Sequence, residues 1–529
     1  MEGFGGGKIL FGEIEVVQVS VMEKVWSSPD NKGVTFYKPL QIPEGFFVLG
    51  HYGCPNAQRP LKSPFFLVSI TQDRSNMKGE IILAGPPLEE PSDYNLVWSS
   101  NEGQVYFWVP QAPEGYKALG CVVTNTPAKP TSKELVMCVR SDLTDTCQTE
   151  GAIWSNKSFT AWNIRPKVRG TKAAGVYVGT FYCQTGGLTP NDPLPIACLK
   201  NCNLDKFTAM PNVDQINELL YKYGPTVFFH PYEKYMPSSV DWFFQNGALL
   251  YSKGSAVGAQ PIEANGSNLP QGGDPDDGSY WLDLPKDGAA ATRVKQGDLQ
   301  SAEAYVHIKP MLGGTCSDIE MWLFYPFNGP RSLKVQLFHN ISLGRIGQHG
   351  GDWEHFTLRI NNLTGKLWRV YLSQHSSGQW LDTSELEYSE GSSDRAVIYS
   401  SKDGHASYPE EGDFLQGNTK LQIGLRNDTK RSKYVLDTSM QFQIISADYM
   451  QPQPLQEPPW LQYMRNWGPT VVYDTRAELD RALKILPSKL RHSVEDFFNK
   501  DIPEELSSEK GPTGPKAKES WEGDEKEKA

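Results

Sequence analysis

Two stretches in the first third of the chain repeat one another element by element, and this limits the available folds more than any other feature. Trp26-Ser27-Ser28, Val34-Thr35-Phe36-Tyr37-Lys38-Pro39 and Pro43-Glu44-Gly45-Phe46-Phe47-Val48-Leu49-Gly50 return in the same order as Trp98-Ser99-Ser100, Val105-Tyr106-Phe107-Trp108-Val109-Pro110 and Pro113-Glu114-Gly115-Tyr116-Lys117-Ala118-Leu119-Gly120. A weaker third copy runs from Trp154-Ser155-Asn156 through Phe159-Thr160-Ala161-Trp162 and Pro166 to Ala174-Gly175-Val176-Tyr177-Val178-Gly179. Each copy alternates β-branched or aromatic residues with polar ones and marks its turn with Pro and Gly, so each reads as short strands. A single unit has nothing to cover its apolar face. Three around a pseudo-axis do, which predicts a threefold β-prism-like or small trefoil-like domain over residues 8–188. The aromatic residues that mark the copies, Trp26, Phe36, Trp98, Phe107, Trp154 and Trp162, are read as its core.

A chain of 529 residues exceeds what one core usually supports, so a second domain is expected. Pro190, Pro193, Pro195 and Pro211 crowd the stretch 189–211, which reads as a linker. Val213, Ile216, Leu219, Leu220 and Tyr223 then recur at helical spacing and predict a short helix ending at Gly224-Pro225. Residues 212–475 read as a β-sandwich-like domain with short flanking helices, so the whole chain is expected to be mainly β. Residues 265–278 form a polar loop without the ligand spacing of an EF-hand. Leu479, Leu483, Leu486, Leu490, Val494 and Phe497 predict an amphipathic helix over 476–503, interrupted at Pro487 and packed on the second domain. Residues 504–529 are charged and nearly free of aromatics, which predicts a disordered tail.

The net charge of −11, with no basic run among aromatics, excludes a nucleic-acid partner that is held by phosphate neutralisation. No apolar run of about 18 residues exists to cross a membrane, and the start Met1-Glu2-Gly3-Phe4 lacks the pattern of a secretory signal. The expected location is therefore cytoplasmic, with any membrane contact peripheral. The eight cysteines show no zinc spacing and are read as free buried thiols, and the five Asn-x-Ser/Thr sequons are read as chance.

The segment richest in chemistry is His349-Gly350-Gly351-Asp352-Trp353-Glu354-His355-Phe356-Thr357-Leu358-Arg359-Ile360. From Asp352 it alternates as a half-buried strand does. Asp352, Glu354, Phe356, Leu358 and Ile360 share one face, and Trp353, His355, Thr357 and Arg359 share the other. Two carboxylates thus lead onto an apolar face, where a cation, a basic group such as Arg345 or hydrogen-bond donors must satisfy them. His349, Asp352 and Glu354 are candidate ligands of a hard or borderline divalent cation, magnesium, calcium or manganese. Seven of the nine histidines fall between positions 230 and 405, in the same domain.

Phe36-Tyr37-Lys38-Pro39 with Leu49-Gly50-His51-Tyr52, His230-Pro231 with Tyr235-Met236-Pro237-Ser238-Ser239-Val240, Gly350-Gly351-Asp352-Trp353-Glu354-His355 and Gly511-Pro512-Thr513-Gly514-Pro515-Lys516 together resemble the plant branch of the vacuolar protein sorting-associated protein 62 family. That resemblance spans nearly the whole chain and implies a role in vacuolar trafficking. Over the second domain alone, Gln348 to His355 followed by Ser373-Gln374-His375-Ser376-Ser377-Gly378 and His405-Ala406 is similar to the motif order of necrosis-inducing cytolysins. Those proteins bind a divalent cation on a β-sandwich that docks on sphingolipid headgroups. The likeness implies His349, Asp352 and Glu354 at cation-binding positions and His375, with His405, at ligand-binding positions. Gln348, Gly350 and Gly351 depart from the cytolysin pattern, and an upstream acidic ligand has no match near Tyr325-Pro326-Phe327-Asn328. The repeat domain is similar to β-prism domains of endosomal sorting proteins, which implies contact with acidic membranes.

The functional expectation is a non-catalytic, peripheral binder of membrane lipid or glycolipid headgroups, assisted by a divalent cation and working with trafficking proteins. A metal-assisted hydrolase and a scaffold with an inert cluster are the alternatives. No G-x-S-x-G elbow, H-E-x-x-H helix or P-loop supports an enzyme.

Overall fold

A computed structural model describes residues 3–526, apart from 30–32, 57–64, 71–84, 101–102, 131–135, 187–192, 204–208, 255–257, 275–276, 337–338, 376, 419–421, 451–454, 473–476, 478–479, 482, 485, 501–507 and 510. The chain is mainly β, with a threefold repeat domain followed by a β-sandwich.

Each sequence copy folds as a three-stranded antiparallel sheet: Met22–Ser27 with Val34–Pro39 and Tyr52–Pro55, Asp93–Ser99 with Tyr106–Gln111 and Val122–Thr124, and Cys147–Ser155 with Phe159–Pro166 and Phe181–Thr185. The first strand of every sheet bulges just before its tryptophan, between Lys24 and Trp26, Leu96 and Trp98, and Ala152 and Trp154. The Pro-Glu-Gly turns close with Phe46 N donating to Pro43 O and Tyr116 N to Pro113 O, both at 3.1 Å, and Gly45 and Gly115 both take φ +82°, which suits a residue without Cβ. On the pseudo-axis Phe36, Phe107 and Phe159 are each 0% exposed, with ring centroids 4.8 and 4.6 Å apart along the series. Trp26, Trp98 and Trp154, read as core, are only half-buried: Trp154 meets Trp26 tilted at 5.8 Å and Trp98 edge-on at 5.9 Å, beside that phenylalanine cluster.

A second set of three small sheets completes the domain, and one of them uses Cys198–Lys200 as its middle strand, between Thr144–Asp145 and Gly175–Val176. The stretch read as a linker therefore supplies part of the repeat domain. Its prolines flank a short apolar run, Ile196 to Leu199, that is buried in the core. Pro190 lies outside the described residues. Seven of the eight free cysteines are buried, and Cys202 is exposed.

The second domain is built on a six-stranded sheet in the order Ser377–Asp382, Lys366–Gln374, His349–Asn361, Cys316–Asn328, Ala304–Met311, Phe442–Ser446. One face, with Val306, Ile319, Met321, Phe356, Leu358 and Val370, packs on the four-stranded sheet that contains Thr226–Phe229 and Val397–Ser400, and on the helix Val213–Tyr223. That helix begins where the spacing predicts, with Asn212 and Gln215 forming a capping box. The opposite face carries Tyr305, Trp322 and Trp353 against Phe243, Trp460, Trp467 and Trp521. A third sheet, which includes Ser332–Val335 and Ile423–Thr429, is covered by Leu483, Leu486 and Val494 from the helical region that the leucine spacing predicts.

Residues 511–526 overturn the expected disorder for that part of 504–529; residues 504–507, 510 and 527–529 lie outside the described set. Trp521 is 2% exposed and stacks on His307 with centroids 3.7 Å apart. Lys309 Nζ donates to the carbonyl of Ser520 at 2.5 Å. The charges that read as disorder are docking contacts: Asp524 pairs with Arg359 at 3.0 Å and with Arg169 of the repeat domain, and Glu525 pairs with His355 at 3.0 Å.

Candidate functional site

The strand His349–Asn361 enters the sheet through Gly350-Gly351. Gly351 has φ +64°, and a Cβ there would stand 2.6 Å from Trp467 O, so only glycine lets the strand start so close to the tryptophan segment. Beyond it the alternation read from the sequence holds. Phe356, Leu358 and Ile360 enter the core between the sheets, while Trp353 joins the tryptophan cluster and Arg359 forks onto Asp318 at 2.7 and 2.8 Å.

Asp352 Oδ2 lies 2.8 Å from His405 Nδ1 and accepts its proton's hydrogen bond. His405 is 0% exposed, lies flat on Tyr325 with centroids 3.8 Å apart and takes φ +57°. Among the described residues its Nε2 has no hydrogen-bond partner. Burial opposes the imidazolium, yet the bond to Asp352 and the nearby Glu233 and Glu354 carboxylates lift His405 above its ordinary pKa. Burial also opposes the Asp352 carboxylate, but His405, His349 and Arg331 hold it below the usual range. Glu354 moves the other way: burial and then the charge of Asp352 raise it to about 7, against the hydrogen bond that Ser373 donates at 2.9 Å.

His349 Nδ1 meets Gly351 O at 2.6 Å, which makes Nδ1 the protonated nitrogen because a carbonyl can only accept. His375 also sits in a left-handed conformation, φ +62°, in the turn between two sheet strands. Arg331 donates to its Nδ1 at 3.1 Å, so Nε2 carries the proton and donates to Asn427 Oδ1, also at 3.1 Å. Two strained histidines at one site fit the tendency of such backbone to collect where function over-determines it.

His349, Asp352, Glu354 and His375 line one cavity of about 490 Å³, together with Asn328 and Arg331. His405 does not line it but supports Asp352 from beneath. Asp352 and Glu354 each use one carboxylate oxygen within the protein, towards His405 and Ser373, and among the described residues the other oxygen of each has no hydrogen bond. That donor set, oxygen with imidazole, is of the type a hard or borderline divalent cation takes, but the ligand atoms of His349, Asp352 and Glu354 do not all lie within 4.8 Å of one another. Arg345, considered for this cluster from the sequence, is not among the charges that bear on Asp352, whereas Arg331 is. Asn328 falls in the segment where the cytolysin likeness would place an upstream acidic ligand, and nothing in the sequence marks Arg331 for this place.

Among the described residues, Glu320, His355 and Glu525 form the one group of three ligand-type side chains whose atoms lie within 4.8 Å of one another. The alternation of the strand turns His355 away from Asp352 and Glu354, yet His355 and Glu525 line the same cavity as that pair. Lys309 is fully buried with Nζ 3.5 Å from Glu320, so a protein cation already fills the role a metal would have, and the His307 ring stands 3.3 Å from the same carboxylate. Sequence reading misses this group because Glu525 lies in the stretch that composition marks as disordered.

The sequence profile described as vacuolar protein sorting-associated protein 62 matches residues 1–525. The chain belongs to the vacuolar protein sorting-associated protein 62 family. Comparison with curated proteins returns no match. Among solved structures, GNIP1Aa from Chromobacterium piscinae is similar to this family member at 17% identity and TM-score 0.29, over 40% of each chain. Necrosis and Ethylene inducing Protein 2, from the causal agent of cocoa's Witches Broom disease, aligns at 16% identity and TM-score 0.17, over 35% of this chain and 76% of its own. NLPPya in complex with glucosamine aligns at 14% identity and TM-score 0.18, over 43% and 90%. No helix among the described residues is long and apolar enough to cross a membrane.

Proposed function

We propose that this member of the vacuolar protein sorting-associated protein 62 family is a non-catalytic receptor for the polyol headgroup of a membrane glycolipid, held peripherally on trafficking membranes. His349, Asp352 and Glu354 take a magnesium, calcium or manganese ion between them partly through water, and His375 holds Arg331 in place beside the headgroup, while trafficking proteins are recruited elsewhere on the surface. The observation that carries this reading is the pair of carboxylate oxygens that, among the described residues, have no protein partner, at a cavity of about 490 Å³ whose other groups include Arg331, Asn328 and His375. Polar groups that converge on a large concave site are the ordinary setting for a small polar ligand. His405 keeps Asp352 ionised and fixed, so the carboxylate needs no reorientation to bind.

The test is co-sedimentation of the full chain with phosphatidylcholine vesicles, with and without plant glycosphingolipid, in each cation and in EDTA. Binding that needs both glycolipid and cation, and that Asp352→Asn and Glu354→Gln both abolish, is the expected outcome. Equal sedimentation in EDTA would remove the cation. No binding under any cation would sink the reading and leave the scaffold alternative.

A further inference from the structure

A second cavity, of about 220 Å³, lies between the two domains and shares only Asp524 with the lining of the Asp352 cavity. The repeat domain contributes Asn163 and Tyr177 to its wall, and the sandwich contributes Arg369 and Trp380. These four share an unusual property. Among the described residues, none bonds to the Asn163 amide, the Tyr177 hydroxyl or the Trp380 indole N–H, and Arg369 uses only its Nε, towards Asp382 at 3.0 Å. Both terminal nitrogens of the Arg369 fork are therefore left with donors to place. Burial pushes the Tyr177 phenol up, so it stays protonated and remains a donor.

The charges around the cavity are arranged to present donors rather than acceptors. Arg165, Arg169 and Arg369 are 27%, 31% and 28% exposed, whereas the carboxylates behind the last two, Asp524 and Asp382, are 5% and 12% exposed. Glu150 is the exception at 44% exposed, and it is paired with Arg165 at 3.3 Å. Arg359, at the back, is held by Asp318 and Asp524. Water meets donors that reach solvent, and several that converge on one cavity without protein partners among the described residues offer that water's place to an acceptor-rich ligand. A guanidinium fork with free terminal nitrogens fits a planar or tetrahedral oxyanion in two-point fashion. Trp368, Trp380 and Tyr52 offer apolar surface beside the donors for a ring.

We infer that this interdomain cavity binds a phosphomonoester carried on a compact polyol ring, with Arg369, Tyr177 and Asn163 as the principal donors to the phosphate. Because donors come from both domains, binding also fixes their relative position.

Calorimetric titration of the full chain, with EDTA present so that the Asp352 site adds no cation-dependent signal, tests the inference. The probes are inositol monophosphate, unphosphorylated inositol, and phosphatidylcholine vesicles with and without phosphatidylinositol monophosphate. One-to-one binding of inositol monophosphate and none of inositol is expected. Arg369→Gln should weaken it about tenfold or more, as losing a charge-assisted hydrogen bond does. Tyr177→Phe keeps the ring and the fold, and should weaken it about threefold to tenfold. Binding of the soluble probe alone identifies a free metabolite as the source, and binding of the phosphorylated vesicles as well identifies a lipid headgroup. Absence of binding to every phosphorylated probe, or binding that survives both substitutions unchanged, overturns the inference.

Discussion

Each domain buries a histidine, and the two are driven in opposite directions. His51 of the repeat domain is 1% exposed and accepts a hydrogen bond from Val123 N at 3.1 Å, and burial with Lys38 nearby pushes it down to about 3. His405 of the sandwich is 0% exposed, yet Asp352 and the carboxylates around it raise its pKa. Burial is the same, so the difference lies in what surrounds the ring. Three copies of one short unit meet at the apolar cluster of Phe36, Phe107 and Phe159, and the buried ion pair of this domain, Arg140 with Glu13, is not among the charges that act on His51. The sandwich has a unique sequence at every position and spends that freedom on buried pairs such as Arg359–Asp318 and His355–Glu525.

The sharpest way to break this comparison is at Asp318. Asp318→Leu leaves the buried Arg359 with Asp524 alone and should cost the sandwich about 3–5 kcal/mol, measured by urea unfolding. Adding Arg359→Met should return part of that loss, because an apolar pair replaces the stranded guanidinium while Asp524 keeps Arg169 as its partner. If the single and double variants were equally unstable, the cost would lie in shape rather than in stranded charge.

Acid should separate the domains next. His51 has a depressed folded pKa, so its contribution is fully present above the unfolded value near 6.5 and is lost as pH falls from there towards 3. At pH 5 the repeat domain should be weaker by about 2 kcal/mol than at neutral pH. Hydrogen exchange of its central strands reports this, and His51→Asn should flatten the slope.

The sandwich should show the reverse sign. His355 is raised above its ordinary value: burial opposes the charge, but Glu525, by charge and hydrogen bond, outweighs it. Its contribution is fully present below the unfolded value and is lost as pH rises through the folded one. Glu525→Gln should loosen residues 511–526 by about 1–2 kcal/mol and remove that alkaline loss, read as protease cleavage between 511 and 526. The smallest expected effect is that of Ser373→Ala. Losing its hydrogen bond to Glu354 should cost at most about 1.5 kcal/mol and move Glu354 further up, seen by carbon-detected NMR titration.

The two domains also differ in how much of them the sequence discloses. Threefold repetition states the same pattern three times, so strands, turns and bulged tryptophans can be read by comparing copies. The period of two in 352–360 likewise suffices by itself to assign Asp352 and His355 to opposite faces. What stays hidden depends on partners far along the chain or on backbone that propensity disfavours. His405 reaches Asp352 from a left-handed turn, and Arg331 reaches His375 from just before a strand of another sheet. Residues 511–526 dock through carboxylates and main-chain carbonyls, which leave no hydrophobic period, and Cys198–Lys200 is too short a strand to stand out among prolines.

The docking of 511–526 has a consequence for biosynthesis. These residues are made after every strand they cover, so Lys309, His355 and Arg359 stay uncovered on a growing chain although the sheet that carries them is already complete in sequence. The repeat domain, made first, can fold while translation continues. The join between the domains cannot, since Arg169 and Lys172 wait for Asp524 and Glu522. A nascent sandwich therefore passes through a stage with an open cationic face, a period in which acidic chaperone surfaces or stray polyanions compete for the place its own later residues will take.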